Sequence, residues 1–332
     1  MTWKPIKKYL FPIAASILLF GVGWYAHGKF NLPPDKIENK RIKVAGYKFI
    51  SPFLDYELPE GYSARHEPIP FRYKIKNFVD QQVQSGNVLE MSVYYRDLSD
   101  GPWFGINEKV KYNPASMMKV PVMMGWLKRA EQDPSVLQQK LIFDEKAYPS
   151  IPQSIKPQKT LKNGASYTVE ELLVYMISFS DNRALLMLSE GLTDKEYCNI
   201  VDTIDVDTEP GDTGKYYLIT SHGYSGFFRV LYNASFLNRK MSEKALQLLS
   251  LPDFTYGIIA GVPKGVTVAS KFGEYYDKAP GVQQLHEFGI VYHPKGPYIL
   301  GVMTRGKDLV KQANVLKSVS KIIYDEINGI QP

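Results

Sequence analysis

The sequence contains a single cysteine, Cys198, among 332 residues. One thiol closes no intrachain disulfide and supplies no thiolate zinc site. Its neighbours, Lys195-Glu196-Tyr197-Cys198-Asn199-Ile200, read as an amphipathic helix, and a free cysteine there is expected as a buried, inert side chain. Histidine is also scarce. His27, His66, His222, His286 and His293 show no H-x-x-x-H spacing, so neither a metal nor any other cofactor is expected. No charge of one sign dominates: 40 basic residues against 34 acidic leave a net +6. No Lys/Arg cluster interleaved with aromatics marks a nucleic-acid surface. The mild basic balance is weak support for an anionic setting such as a cell envelope. Internal repeats and low-complexity tracts are absent too. What remains is 44% hydrophobic and 22% charged residues, the composition of a globular protein.

Only one long apolar run exists, Tyr9 to Ala26, and it carries no formal charge. At about 1.5 Å per residue it spans close to a bilayer's hydrocarbon core. Lys4, Lys7 and Lys8 precede it, and Trp24 and Tyr25 close it. The positive-inside rule then leaves the N-terminus in the cytoplasm and the remainder outside. A cleaved signal peptide is the alternative. No evident A-x-A-like site lies near Ala26, so an uncleaved single-pass anchor is the preferred reading. No cysteine closes the run, which excludes a lipoprotein. Residues 29–70, rich in proline and charge, read as a stalk with limited order. Within it, Ala45-Gly46-Tyr47-Lys48-Phe49-Ile50 is a candidate short strand. Residues 71–332 read as the globular domain.

In that domain a helix is predicted from Lys74 to Val83, a strand from Leu89 to Arg96, and a second strand opening at Trp103 after the Asp97–Gly101 turn. A helix follows from Ser116 to about Glu131, with Pro121 in its early turns. Thr168 begins another, and Glu171 completes a capping box. Gly226 to Asn238 is helical. Strands return at Val266–Lys271, Gly289–Tyr292 and Tyr298–Met303, and a last helix covers about Leu309 to Ile327. Strands at both ends therefore bracket a helical middle. The expected architecture is two lobes with a cleft between them.

Three short motifs fall in order along this frame. Ser116-x-x-Lys119 opens an apolar helical run, and residues three apart share a helix face. A hydroxyl held beside an amine in a dry site is an activated nucleophile. Ser180-Asp181-Asn182 follows the Thr168 helix directly, and Lys271-Phe272-Gly273 lies at the end of a predicted strand. Singly, each is cheap: a helix cap with a surface lysine, a turn, a solvated lysine. Their joint order and contexts are not.

The set S-x-x-K, S-D-N and K-T-G belongs to class A β-lactamases and penicillin-binding proteins. The chain resembles this superfamily, and most nearly the class A β-lactamase-like serine hydrolases, over roughly Phe71 to Ile327. The stretch Gly164–Leu188 resembles the family's central helices, and His286–Val302 its final hairpin. The resemblance implies an α+β fold of the β-lactamase/transpeptidase type, with an antiparallel sheet flanked by helices and an all-helical lobe. It also implies roles. Ser116 would attack a lactam or peptide carbonyl. Lys119 would take or relay its proton, with a pKa lowered by burial or by the neighbouring Lys271. Ser180 would pass a proton to the leaving nitrogen. Asn182 would bind the substrate amide, and Lys271 would draw the substrate carboxylate. Gly273 would complete the third motif. Backbone N–H groups of Ser116 and Glu274 would form the oxyanion hole.

Two positions depart from the family pattern. Phe272 replaces a hydroxyl that would bond the substrate carboxylate, a loss of about 1.5–3 kcal/mol with a charged partner, and Glu274 adds an acid where a small residue is usual. Deacylation needs a glutamate between the second and third motifs. Glu209, in Asp207-Thr208-Glu209-Pro210-Gly211-Asp212, is the one candidate with suitable neighbours. A solvated turn glutamate is its competing reading. The expected activity is β-lactam hydrolysis through an acyl-serine, by a monomer anchored in the membrane. Peptidoglycan stem-peptide acyl transfer and a catalytically impaired envelope-binding module are the alternatives.

Overall fold

Five antiparallel strands form the main sheet: β1 (Glu90–Asp97), β2 (Trp103–Ile106), β8 (Val268–Tyr276), β9 (Gln283–Val291) and β10 (Tyr298–Gly306), in the order β2-β1-β10-β9-β8; β3 (Lys111–Tyr112), β7 (Tyr217–Thr220) and β6 (Thr208–Pro210) form a small sheet, and β4 (Lys140–Ile142) pairs with β5 (Ser166–Thr168). The central strands are buried along almost their whole length, because both faces of the sheet are covered. On one face lie α1 (Arg72–Gln84) and α8 (Leu309–Gly329), packed through Phe71, Ile75, Val79, Leu316, Val319 and Ile323. On the other lies α6 (Ser221–Tyr232), whose Tyr224 and Phe228 meet Phe288 of β9. This computed structural model describes residues 47–51, 69–99, 101–203, 208–210, 217–277 and 279–329. The apolar run Tyr9–Ala26 and most of the expected stalk lie outside them. Among the described residues no helix is long and apolar enough to cross a membrane.

The helical lobe is built around α2 (Lys119–Gln132), preceded by a 3-10 turn at Ala115–Met118. From Lys119 through Leu127 every residue of α2 is buried. A helix that is apolar all round sits in the middle of a lobe, and α2 is surrounded by α3 (Val169–Ile177), α4 (Asn182–Glu190), α5 (Asp194–Thr203) and α7 (Arg239–Leu249). The capping box at Thr168 is present in both directions: Thr168 Oγ1 accepts from Glu171 N, and the Glu171 carboxylate accepts from Thr168 N.

Several expectations are corrected. The helix expected at Gly226–Asn238 is α6, which starts at Ser221 because the Thr220 hydroxyl caps it at Gly223 N. Asn238 caps the next helix, α7, instead. Lys271 is not at a strand end, since β8 continues to Tyr276 in register with β9. Cys198 is exposed on α5 rather than buried; Ile200 and Val201 fill the inner face there. Residues 47–51 form neither a strand nor a free stalk. Three successive N–H groups, of Lys48, Phe49 and Ile50, donate to the Glu243 carboxylate at 2.6, 2.8 and 3.1 Å, and Phe49 and Ile50 are buried in the main core. Packing of this segment onto α7 follows from those two apolar side chains, which outweigh the polar composition around them.

Candidate active site

The site begins with a strained turn. Asn113 Oδ1 accepts from Ala115 N at 2.9 Å, and Ala115 sits at φ +49, an uncommon conformation for a residue with a Cβ. This bend lifts Ser116 to the mouth of α2. Long-range contacts hold it from two sides. Tyr224 of α6 donates its hydroxyl to Met117 O at 2.8 Å. From β9, Gln284 Oε1 accepts from Asn113 N at 3.1 Å, and His286 Nε2 lies 3.1 Å from Asn113 O. His286 Nδ1 accepts from Thr304 N, so its proton is on Nε2 and the ring donates to Asn113 O. Burial pushes the His286 pKa down to about 3, which keeps the ring neutral.

The second motif reads as three separate jobs. Ser180 has φ +56 and turns both its carbonyl and its hydroxyl toward one point. Asp181 is the N-cap of α4, its carboxylate accepting from Arg183 N and Ala184 N. Asn182, the first residue of α4, then projects into the cleft. Ser180 and Asn182 converge on Lys119, which is 0% exposed. Its Nζ lies 3.0 Å from Ser116 Oγ, 2.6 Å from Ser180 O, 3.0 Å from Ser180 Oγ and 2.8 Å from Asn182 Oδ1.

Burial is the main cause that lowers the Lys119 pKa to about 7, against the opposing pull of Asp181 and Glu274. The neutral amine is therefore accessible near neutral pH. A neutral amine has two N–H bonds and one lone pair. Ser180 O and Asn182 Oδ1 can only accept, so they take the two N–H bonds. The lone pair is left for the Ser116 and Ser180 hydroxyls. That is the arrangement a general base for Ser116 requires.

Lys271 reaches the same hydroxyl from the sheet. It is 1% exposed, and its Nζ lies 2.9 Å from Ser180 Oγ and 3.0 Å from Phe272 O. Burial, with Lys119 nearby, holds its pKa well below the ordinary lysine value. Gly273 has a steric reason: a Cβ there would stand 2.5 Å from Pro114 O and 3.2 Å from Met117 N. β8 thus runs directly against the turn that carries Ser116, one residue before Glu274.

The two departures have distinct places. The Phe272 ring is buried and stacks on Phe254 at 4.6 Å, with the Lys271 ammonium 4.2 Å from its centre. Where a hydroxyl was expected, the sheet carries an aromatic face against the lysine. Glu274 is half-buried, and both its oxygens accept from Ile155 N, at 3.1 and 3.2 Å. Burial raises its pKa, while Lys119 and Lys271 oppose the rise.

Glu209 is placed only as backbone. Thr208–Pro210 form β6, which pairs with β7 (Tyr217–Thr220) with Glu209 opposite Leu218, and β7 pairs with β3 (Lys111–Tyr112), just before the Ser116 turn. The residue lies in a strand and not in a turn; its side chain lies outside the described residues. Among the described residues no group of three or more His, Cys, Asp or Glu is arranged to hold a metal ion.

Four residues escaped the sequence reading: Gln153, Tyr224, Gln284 and His286. Gln284 and His286 stand at i and i+2 on one face of β9, a strand whose first half, Gln283 to Glu287, is mostly polar and so lies outside the strand expected at Gly289–Tyr292. Gln153 and Tyr224 had no readable signal, because nothing local marks their partners. Gln153 Oε1 accepts from Asn182 Nδ2 at 2.8 Å.

Comparison with solved structures supports the fold. A PBP-A variant, solved as an acyl-enzyme complex with penicillin G, is 19% identical with a TM-score of 0.65, covering 83% of this chain and 100% of its own. A beta-lactamase from Sphaerobacter thermophilus is 17% identical with a TM-score of 0.67, covering 80% and 100%. A class A beta-lactamase from Mycobacterium abscessus is 18% identical with a TM-score of 0.65, covering 76% and 99%. No curated protein matches the sequence. The fold is therefore the β-lactamase/transpeptidase-like α+β fold, an antiparallel sheet with helices. A model of the beta-lactamase enzyme family (Beta-lactamase2) matches residues 70–327, the same span that holds the sheet, the helical lobe and the three motifs, and the chain belongs to that family.

Proposed function

We propose that this protein opens β-lactam amides through an acyl-Ser116 intermediate. The observation that carries the reading is the buried Lys119 amine 3.0 Å from Ser116 Oγ, with its N–H bonds already engaged by Ser180 O and Asn182 Oδ1. Ser116 Oγ attacks the carbonyl carbon and its proton passes to Lys119 Nζ. The resulting oxyanion faces the backbone N–H groups of Ser116 and Glu274. As the C–N bond breaks, Lys119 returns the proton through the Ser180 hydroxyl to the leaving nitrogen. Lys271, its Nζ 2.9 Å from Ser180 Oγ, is the residue that draws an anionic substrate group. Water then attacks the ester, restoring the Ser116 hydroxyl and releasing the acid. Glu209 is the candidate base for that water.

In a second reading Glu209 does not serve deacylation, the β-lactam acyl-enzyme persists, and the natural acyl donors are peptidoglycan stem peptides; Phe272 and Glu274 motivate a third, a catalytically impaired envelope-binding relative. In each reading the apolar run Tyr9–Ala26 behind Lys4, Lys7 and Lys8 anchors a monomer in the cell membrane, with the domain outside.

The test is incubation of the purified protein with benzylpenicillin and a chromogenic cephalosporin. The expected result is an acyl adduct on Ser116 by mass spectrometry, absent in Ser116→Ala, with cephalosporin turnover. An adduct that persists without turnover selects the acyl-transfer reading. No adduct on the native protein overturns both and selects the third.

A further inference from the structure

Three strands place a row of polar side chains beside the turn that carries Ser116. Arg305 of β10 stands opposite Glu90 of β1 on one side and Gln284 of β9 on the other. Directly opposite residues in a sheet share a face, so the three side chains form one line across it. The Arg305 guanidinium donates to the Glu90 carboxylate and, through Nε, to the Asp277 carboxylate at 3.2 Å. Asp277 follows the last residue of β8. Its Oδ2 also accepts from Gln284 Nε2 at 2.7 Å. Gln284 Oε1, at the other end of the same carboxamide, accepts from Asn113 N at 3.1 Å. The same oxygen lies 3.2 Å from His286 Nε2, the donor to Asn113 O.

A carboxamide gives this line a direction, because its oxygen only accepts and its nitrogen only donates. The Asp277 carboxylate takes the Nε2 end and turns Oε1 toward Asn113. Rotated by half a turn, the amide would present its own N–H to Asn113 N–H and leave a buried donor without an acceptor. Gln284 is 3% exposed, so water is a poor substitute there. Asn113 sets the bend at the nucleophile: its Oδ1 holds Ala115 N at 2.9 Å, and Ala115 keeps φ +49 one residue before Ser116. Such a conformation persists only where its surroundings over-determine it.

We propose that Asp277 and Gln284 are positioning residues for the nucleophile: Asp277, held by Arg305, fixes the orientation of the Gln284 carboxamide, and that carboxamide fixes the Asn113–Ser116 turn against β9. This rests on the acyl-serine reading above. Neither residue touches the reacting atoms. They act on where Ser116 Oγ stands relative to Lys119 Nζ, 3.0 Å away, and so on the rate of the acylation step. The groups that bind substrate stay where they are.

The experiment follows Ser116 acylation by mass spectrometry over a range of benzylpenicillin concentrations, in the full chain, Asp277→Ala, Gln284→Ala and the double variant. Each single substitution is expected to lower the limiting rate about 3- to 10-fold, the scale of one lost hydrogen bond, with the half-saturating concentration within about twofold of native. The double variant is expected to fall no further than the slower single one, because Asp277 acts through Gln284. An exchange pair decides the matter even if the alanine variants fail to fold. Gln284→Glu sets two carboxylates against each other and is expected to be slow. Adding Asp277→Asn restores a donor–acceptor pair of reversed sense, with the introduced carboxylate still accepting from Asn113 N, and most of the rate is expected to return. Unchanged rates in the single variants, losses that multiply in the double variant, a change confined to the half-saturating concentration, or an exchange pair no faster than Gln284→Glu overturns the proposal while leaving acyl transfer intact. No adduct on the native protein overturns the acyl-serine reading, and the role of Asp277 and Gln284 in its rate with it.

Discussion

The two walls of the cleft differ in how far they depart from their family's pattern. On the helical wall, Ser116, Lys119, Ser180 and Asn182 stand as the motifs require, and four contacts of 2.6 to 3.0 Å converge on one buried amine. On the sheet wall, Lys271 and Gly273 keep their places, while Phe272 has joined the core and Glu274 accepts from Ile155 N. Proton transfer tolerates little displacement, since a donor and acceptor must meet within hydrogen-bond reach. Recognition can be rebuilt, because a different set of groups can hold a different substrate. The contrast is between a proton-transfer geometry that keeps the family's motifs and a recognition wall that departs from them.

The largest expected effect breaks the helical wall. Lys119→Met keeps the volume and removes the amine, and Ser116 acylation should fall roughly 10²- to 10⁴-fold, the range of a lost general base. In the native protein the acylation rate should rise as pH increases through about 7, since the amine accepts a proton only when neutral and its pKa lies there. Lys119→Met should lose that rise in a stopped-flow pH profile.

Phe272→Thr tests the sheet wall. It removes the stack on Phe254 and the ring face beside Lys271, and thermal unfolding should show a loss of about 3 kcal/mol, as for truncated core aromatics. If the wall serves packing more than chemistry, stability falls further than acylation does.

Gly273→Ala strikes the joint between the walls. The new methyl would press on Pro114 O and Met117, and stability should drop by about 1–3 kcal/mol with reduced acylation, as overpacking predicts. Tyr224→Phe is the mildest test. It removes the donor to Met117 O and should lower stability by about 1 kcal/mol, with a small loss in acylation rate by mass spectrometry.

Much of this was legible along the chain. The spacing Ser116-x-x-Lys119 required proximity on any helical turn, and the structure delivers it across a 3-10 segment and the start of α2. The Thr168–Glu171 capping box was legible for the same reason: its partners are three residues apart. Lys271 was recognised in kind but placed at a strand end. Strand length depends on a partner, and β9 extends β8 to Tyr276. The exposure of Cys198 was missed because its helix presents the opposite face to the lobe. Gln153 was missed because its partner, Asn182, lies across a loop with no periodicity.

The sequence by itself determined which reactive groups exist and their order: a serine with a lysine three residues on, a second serine with an asparagine, and a lysine before a glycine. Local rules of helix and turn suffice for that. Only the tertiary structure decided that Lys119 is dry enough for its pKa to fall to about 7, that Lys271 meets it at one hydroxyl, and that residues 153–155 cross the cleft. Desolvation and long-range hydrogen bonds arise from neighbours far away in the chain, and no pattern of adjacent residues encodes them.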